Sequence, residues 1–263
     1  YIFTHLSKNF KELFNSDDLD LLDYLDDDGQ SIEPKFYVPT LPIILINGAC
    51  GIGTGFSTDI PCFNPDDIKD RLLRLVEDED SDIAELTPWY KGFIGTIKKV
   101  EENKWTTHGN YSIKANVITV TELPIGTWTE DYKTFLDKLE TENTIYGYKN
   151  MSTETTVNFE IKMPLETVYE WKDNREIEKK LKLVSHISAK NMYVFNENNE
   201  IVKMESPEEI IYHFWRIRND YYIKRQEKLI EKISSELNVI TAKINFVNDV
   251  IDEKIKVFRQ KLD

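Results

Sequence analysis

The chain has 263 residues, with 33 Lys and Arg against 47 Asp and Glu, a formal net charge of −14 and 40% hydrophobic content. That length can bury a sizeable core in one large domain or two modest ones. No apolar run is long enough to span a bilayer and no signal-like segment opens the chain. The acidic balance argues against a surface that binds nucleic acid everywhere. It leaves room for a local basic groove, because phosphate contacts depend on potential within a Debye length of about 8–10 Å. Cys50 and Cys62 have no histidine at metal spacing, which disfavours a disulfide staple or a zinc site and points to a reducing compartment. His5, His108, His186 and His213 are scattered and read as ordinary histidines. With no initiator Met, the chain reads as an internal piece of a larger soluble protein.

In chain order, Leu6, Phe10 and Phe14 have helical spacing, and Leu21, Leu22 and Leu25 predict a second short helix. Asp26-Asp27-Asp28-Gly29 fails the calcium-loop spacing, since the first position would be Tyr24 and the twelfth Lys35, so a solvated turn is expected. The apolar run Leu41 to Ile46 is fit to be a buried strand. Asn64-Pro65-Asp66-Asp67 is a helix start, with Asn64 as cap, proline at the first helical position and acids at the positive end of the dipole. Leu72, Leu73, Leu75 and Val76 give that helix an apolar side. Near Glu85 the patterning changes to strand and turn: Ile94 to Val100, Thr106 to Ile113 with His108-Gly109-Asn110 as a turn, and Val117 to Val120. A helix over Asp131 to Leu139, a strand over Thr155 to Met163 and a helical portion within Glu166 to Leu183 follow. Met192 to Phe195 and Ile201 to Met204 form a hairpin around Asn196 to Asn199. Pro207-Glu208-Glu209 then starts a long helix. Its stripe Ile230, Ile233, Leu237, Ile240, Ile244, Val247, Ile251 alternates three and four, the spacing of a coiled-coil seam that needs a facing helix.

The most informative stretch follows Ile46, where glycine recurs at 48, 51, 53 and 55. Ile52 stands alone between Gly51 and Gly53. A branched apolar side chain on a slim backbone has the shape of the wedges that enter a minor groove, force neighbouring base pairs apart and kink the duplex. A phosphate-cradling loop is disfavoured, because position 56 is Phe where the dinucleotide spacing needs glycine and no Lys-Ser or Lys-Thr follows the glycines. A tight glycine turn serving packing alone is the other reading.

These residues resemble the DNA cleavage and reunion region of eukaryotic-type type II DNA topoisomerases. Tyr1-Ile2-Phe3-Thr4 is similar to the family's active-site tyrosine segment. Asp27 to Gln30 and Glu33 to Pro39 are similar to its run into the glycine loop. Ile60-Pro61, Phe63-Asn64-Pro65, Gly92 to Ile97, Thr121 to Pro124, Thr127-Trp128-Thr129, Asp220 to Tyr222 and Lys224-Arg225 fit in the same order. The ordered set covers nearly the whole chain. Two departures stand out: Cys50 occupies a place where the family usually has Glu, and the arginine that precedes the family's tyrosine is not in this sequence.

The resemblance implies an α+β fold: part of a winged-helix domain over residues 1–84, a mixed α/β tower domain over 85–206 and a first coiled-coil arm over 207–263. It makes Tyr1 the nucleophile that joins the 5′ phosphate of a cleaved strand, and it places Gly51, Ile52, Gly53, Thr54 and Trp128 against DNA. For Trp128 a buried core position is the competing reading. A tyrosine ionises only near pH ~10, so the reaction needs help from outside. The resemblance implies that Mg2+ and ATP serve the full enzyme on metal-binding and ATPase domains beyond this chain, which binds neither and would be inactive alone. It also implies double-stranded DNA and a second copy of the protein as partners, no membrane, and the nucleus as location, or the site of viral replication for a viral source. A non-catalytic DNA-bending or dimer-scaffold module is the alternative; an arginine before Tyr1 and an upstream Asp-x-Asp cluster would separate these readings. Arg216, Arg218, Lys224 and Arg225 read as a solvated basic helix face rather than a DNA contact.

Overall fold

The computed structural model describes residues 3–79 and 81–256. The chain divides into two compact units, Tyr1–Thr40 with Phe214–Asp263, and Leu41–His213. The architecture is α+β with a long C-terminal helix, in line with the sequence reading.

The first unit opens with two short helices, α1 (Phe10–Leu13) and α2 (Ser16–Leu19), then a hairpin of β1 (Tyr24–Asp27) and β2 (Gln30–Pro34). Both helices depart from the expected ones. Leu6 and Ser7 lie outside any helix, and the leucines at 21, 22 and 25 do not extend a helix. Asn15 instead caps α2, its Oδ1 accepting from Asp17 N at 2.9 Å, and Leu25 lies in β1, where ladder pairing overrides helical spacing. The Asp28-Gly29 turn has positive φ at both residues (50° and 82°), the geometry favoured by two-residue hairpins. Asp26 Oδ1 accepts from Gly29 N at 3.0 Å, so the acidic run is a turn, as expected.

The second unit begins with α3 (Ile43–Asn47), followed by a hairpin of β3 (Ala49–Ile52) and β4 (Ser57–Ile60). The run read as a strand is therefore a helix. A short apolar run looks the same in either form, and here Pro42 opens one turn that Gly48 closes at φ 67°. Glycine is required at 48: an added Cβ would lie 2.7 Å from the Ile60 carbonyl. The cap predicted at Asn64 is present on α4 (Pro65–Glu77), Asn64 Oδ1 accepting from Asp66 N at 3.0 Å. Its buried side is Ile68, Leu72 and Leu75, whereas Leu73 and Val76 face solvent.

Next come β5 (Thr96–Glu101), β6 (Lys104–His108), β7 (Tyr111–Lys114), β8 (Val117–Val120), α5 (Thr129–Thr141), β9 (Gly147–Asn150), β10 (Phe159–Lys162), α6 (Leu165–Asp173), α7 (Ile177–Lys180) and β11 (Val184–Ser188). The strands form two antiparallel sheets, ordered β7-β8-β10-β9 and β11-β6-β5. One hydrophobic core packs Tyr132 and Leu136 of α5 and Val168 and Trp171 of α6 with Ile118, Val120, Phe159 and Ile161 of the four-stranded sheet. Tyr132 meets Phe159 edge-on at 5.2 Å, a favoured aromatic arrangement. The strand expected over Thr155 to Met163 is shorter, because Thr153 to Thr156 close a local turn through their hydroxyls. The expected hairpin is present as β12 (Met192–Phe195) and β13 (Ile201–Met204). Finally α8 (Pro207–Ile251) runs the full expected length.

In the first unit α8 packs Ile217 and Tyr221 with Leu22 and Val38. Two of the basic residues assigned to a solvated face pair with a buried carboxylate instead, Arg218 fully buried and Arg225 half-buried. Arg218 is 1% exposed; its Nη1 donates to Asp18 Oδ2 at 2.7 Å and to the Val38 carbonyl at 3.1 Å. Arg225 Nε donates to Asp18 Oδ1 at 2.6 Å. Burial alone would raise the Asp18 pKa, but hydrogen bonds and charge from Arg225 and Arg218 outweigh it and hold the carboxyl below its ordinary value.

Candidate nucleic-acid interface

The glycine run folds as a hairpin with Ile52 at its end. Ile52 is the last residue of β3, opposite Ser57, and is 94% exposed. An isoleucine bared to that degree has no packing role within its own unit. Gly51 precedes it in the same strand, and no atom lies within 4 Å of where a Cβ would stand, so the backbone there is open to a close approach. Gly53 N donates to the Phe56 carbonyl at 2.8 Å to close the tip, and Thr54 is exposed within it.

Behind the tip, β4 is tied down. Asp59 N donates to the Asn191 carbonyl at 2.8 Å. Thr58 Oγ1 donates to the Tyr193 carbonyl and accepts from Tyr193 N, both at 3.0 Å. Asn191 Nδ2 donates to Ser57 Oγ at 2.9 Å. Ile52 thus projects from a hairpin whose other strand is hydrogen-bonded to Asn191 and to Tyr193 of β12. Sequence reasoning does not find Asn191 and Tyr193, since residues more than a hundred positions from their partners leave no local pattern.

Trp128 is 74% exposed, which overturns the core reading for it. It stands at the N-cap of α5, just after the turn Pro124 to Thr127. An open groove of about 890 Å³ runs beside it, lined by Lys91, Phe93, Ile94, Pro124, Trp128 and Val157. Glu122 at its edge is already engaged, its carboxylate accepting from Ile94 N at 3.2 Å and Leu123 N at 3.1 Å. Ile52, Gly51, Gly53, Thr54 and Trp128 all belong to the second unit. Tyr1 lies outside the described residues.

Cys50, exposed on β3, and Cys62 are both free thiols. Burial pushes the Cys62 thiol up, and its Sγ donates to the Asn47 carbonyl at 3.2 Å. His108 is held by Glu178 Oε2 at 2.7 Å from Nδ1 and by Thr106 Oγ1 at 3.1 Å from Nε2, the pattern of a structural histidine. Among the described residues, no group of three His, Cys, Asp or Glu side chains comes together that could hold a metal ion, and no helix is long and apolar enough to cross a membrane.

The DNA gyrase/topoisomerase IV A-subunit family matches residues 1–263. A mitochondrial DNA topoisomerase 2 of Dictyostelium discoideum is 37% identical over 98% of this chain and 20% of its own length. The DNA topoisomerase 2 of Arabidopsis thaliana is 38% identical over 99% of this chain and 18% of its own. That of Invertebrate iridescent virus 6 is 35% identical over 99% and 23%. The crystal structure of the Plasmodium falciparum topoisomerase II DNA-binding, cleavage and re-ligation domain superposes with a TM-score of 0.86 at 34% identity, covering 99% of this chain and 36% of that one. The fold and the whole-length match place the chain among the type II DNA topoisomerases. It belongs to the DNA gyrase/topoisomerase IV A-subunit family and spans only about a fifth of the length of its curated eukaryotic relatives.

Proposed function

We propose that this chain is the portion of an ATP-dependent type II topoisomerase that bends duplex DNA and carries the tyrosine that cuts it. Ile52 wedges between adjacent base pairs, Gly51, Gly53 and Thr54 let the hairpin backbone approach the groove, and Trp128 bears on the same duplex. The observation that carries this reading is the bare Ile52 at the end of a hairpin anchored through its other strand. Unstacking a step costs a few kcal/mol, which the added contacts of bent DNA offset, and a loose hairpin would yield before the duplex did.

In the cleavage step the Tyr1 oxygen attacks phosphorus, forming a 5′-phosphotyrosine ester as the bond to the 3′ oxygen breaks. The proton lost by tyrosine is balanced by the one gained by the 3′ hydroxyl, and the reverse reaction reseals the strand. A second duplex passes through the break. Mg2+ and ATP are assigned to other domains of the longer protein. Residues 1–84, 85–206 and 207–263 are read as a winged-helix portion, a tower and a first coiled-coil arm. The working protein is read as a homodimer, acting in the nucleus or at a site of viral replication.

Ile52→Ala in the full-length protein tests the reading. Energy transfer between dyes on the two ends of a duplex should show bending lost and the covalent adduct reduced, while initial electrostatic binding persists. Unchanged bending would remove Ile52 from the role of wedge.

A further inference from the structure

Beneath the turn that presents Trp128, two hydroxyls close a ring of hydrogen bonds on one peptide. Thr127 N donates to the Pro124 carbonyl at 3.1 Å, and Gly126, third in the turn, has φ 82°. That is the type II arrangement, which needs a residue tolerant of positive φ at this place. It leaves the N–H and the carbonyl of Ile125 without partners inside the turn. Ile125 N donates to Thr107 Oγ1 at 3.2 Å, and Ser185 Oγ donates to the Ile125 carbonyl at 2.7 Å. The two hydroxyl oxygens are 2.7 Å apart. Since the Ser185 proton is committed to Ile125, Thr107 is the donor between them. Each hydroxyl then donates once and accepts once, and the ring has a single sense.

Nothing in strand packing calls for hydroxyls at these places. Thr107 on β6 and Ser185 on β11 face each other across the ladder, and Thr107 is fully buried. Valine would suit such a position in a strand as well. A buried hydroxyl is costly unless its bonds are made, and here they are spent on a loop outside the sheet. The same turn borders two cavities. Ile125 and Gly126 line the groove beside Trp128, and they also line a 370 Å³ cavity with Gly48, Cys50 and Asp59 at the foot of the Ile52 hairpin.

We infer that Thr107 and Ser185 are positioning residues: their hydroxyl pair locks the Ile125 peptide and so sets the angle at which Trp128 meets DNA. The inference rests on the reading of Trp128 as a DNA-contact side chain. A contact residue on a loop is placed well only when its support is itself held by packed, bonded groups.

The test is a mutant cycle in the full-length protein, with duplex affinity measured by fluorescence anisotropy at one fixed salt concentration. Thr107→Val removes the hydroxyl and keeps the volume, and should weaken binding about fivefold, the scale of one net hydrogen bond. Thr107→Ser should restore it. Trp128→Ala should weaken binding about tenfold, the scale of one lost aromatic contact, and Thr107→Val should add nothing in that background. The Trp128 emission, taken as the difference from Trp128→Phe, should shift in Thr107→Val and return in Thr107→Ser. If Thr107→Val is silent, or its effect simply adds to that of Trp128→Ala, the positioning role is overturned while the DNA-contact reading stands. If Trp128→Ala binds as the parent does, both fall together. Should thermal melting show Thr107→Val unfolded, Ser185→Ala runs the same cycle from the half-buried side of the ring.

Discussion

From Pro207 to Arg225, α8 buries Ile210, Ile211, Trp215, Arg218 and Tyr221, whereas residues 226–248 are exposed without exception. The apolar spacing nevertheless continues, through Ile230, Ile233, Leu237, Ile240, Ile244, Val247 and Ile251. One helix thus holds a face covered by its own chain and a face covered by nothing among the described residues. Periodicity reports that a face is apolar; it carries no information about what covers that face. The proximal half also makes specific polar bonds. Tyr212 Oη donates to the Ser81 carbonyl and accepts from Ile83 N, Glu208 accepts from Leu86 N, and Arg218 and Arg225 share Asp18.

The largest expected effect breaks the proximal half at its charges. Asp18→Ala leaves the buried Arg218 without a counter-ion, while its Nε and Nη2 already lack partners among the described residues. Removing one member of a buried pair costs about 3–5 kcal/mol, which chemical denaturation of the chain should register as a lower midpoint with an unchanged slope. The pH dependence follows from the same carboxylate. Its folded pKa lies below the ordinary value, so its stabilisation is complete above the unfolded carboxyl's pKa of about 4. It is lost as pH falls through the lower folded value. Asp18→Ala should therefore flatten the acid limb of the stability curve; an acid limb identical to the parent's would assign acid unfolding to other carboxylates.

A matched apolar substitution comes next. Ile211 is 0% exposed, and Ile211→Ala should cost about 2–5 kcal/mol through lost burial and the cavity left behind. Thermal unfolding measures it, and a loss under about 1 kcal/mol would mean that the site collapses around the smaller side chain.

Much of this molecule is legible without its structure. The Asn64 cap, the hairpin around Asn196 to Asn199 and the extent of α8 are marked by local chemistry that nothing distant overrides. The exposure of Ile52 is legible for a related reason, because an isolated apolar side chain among glycines has nowhere to hide. The run Leu41 to Ile46 misleads since a helix of one turn and a buried strand need the same residues, and only the tight approach of Gly48 to Ile60 separates them. Arg218 misleads because its partner lies 200 residues away, and a buried arginine looks like a solvated one until Asp18 is found beside it. The Thr107–Ser185 ring is invisible for the same cause: two hydroxyl residues common in strands gain meaning only when β6 and β11 pair and the Pro124 to Thr127 turn settles over them.

The smallest effect is the most discriminating, because its sign answers the question posed by the distal half. Ile240 is 53% exposed on an uncovered face. While that face stays in water, Ile240→Ala loses little packing and replaces a β-branched residue by the best helix former, a gain of up to about 0.5 kcal/mol. The 263-residue chain at low concentration should therefore be unchanged or slightly more stable when monitored by helical circular dichroism. In the full-length protein, where the seam is proposed to meet a facing helix, the same substitution removes buried methylenes at about 0.8 kcal/mol each plus a cavity term. Destabilisation there, with neutrality or gain in the shorter chain, would mark the seam as one half of a coiled coil. Destabilisation in the shorter chain that grows with its concentration would instead show copies of the chain covering each other's seams. Neutrality in both would leave the stripe a solvent-exposed helix face and remove the facing helix from the proposal.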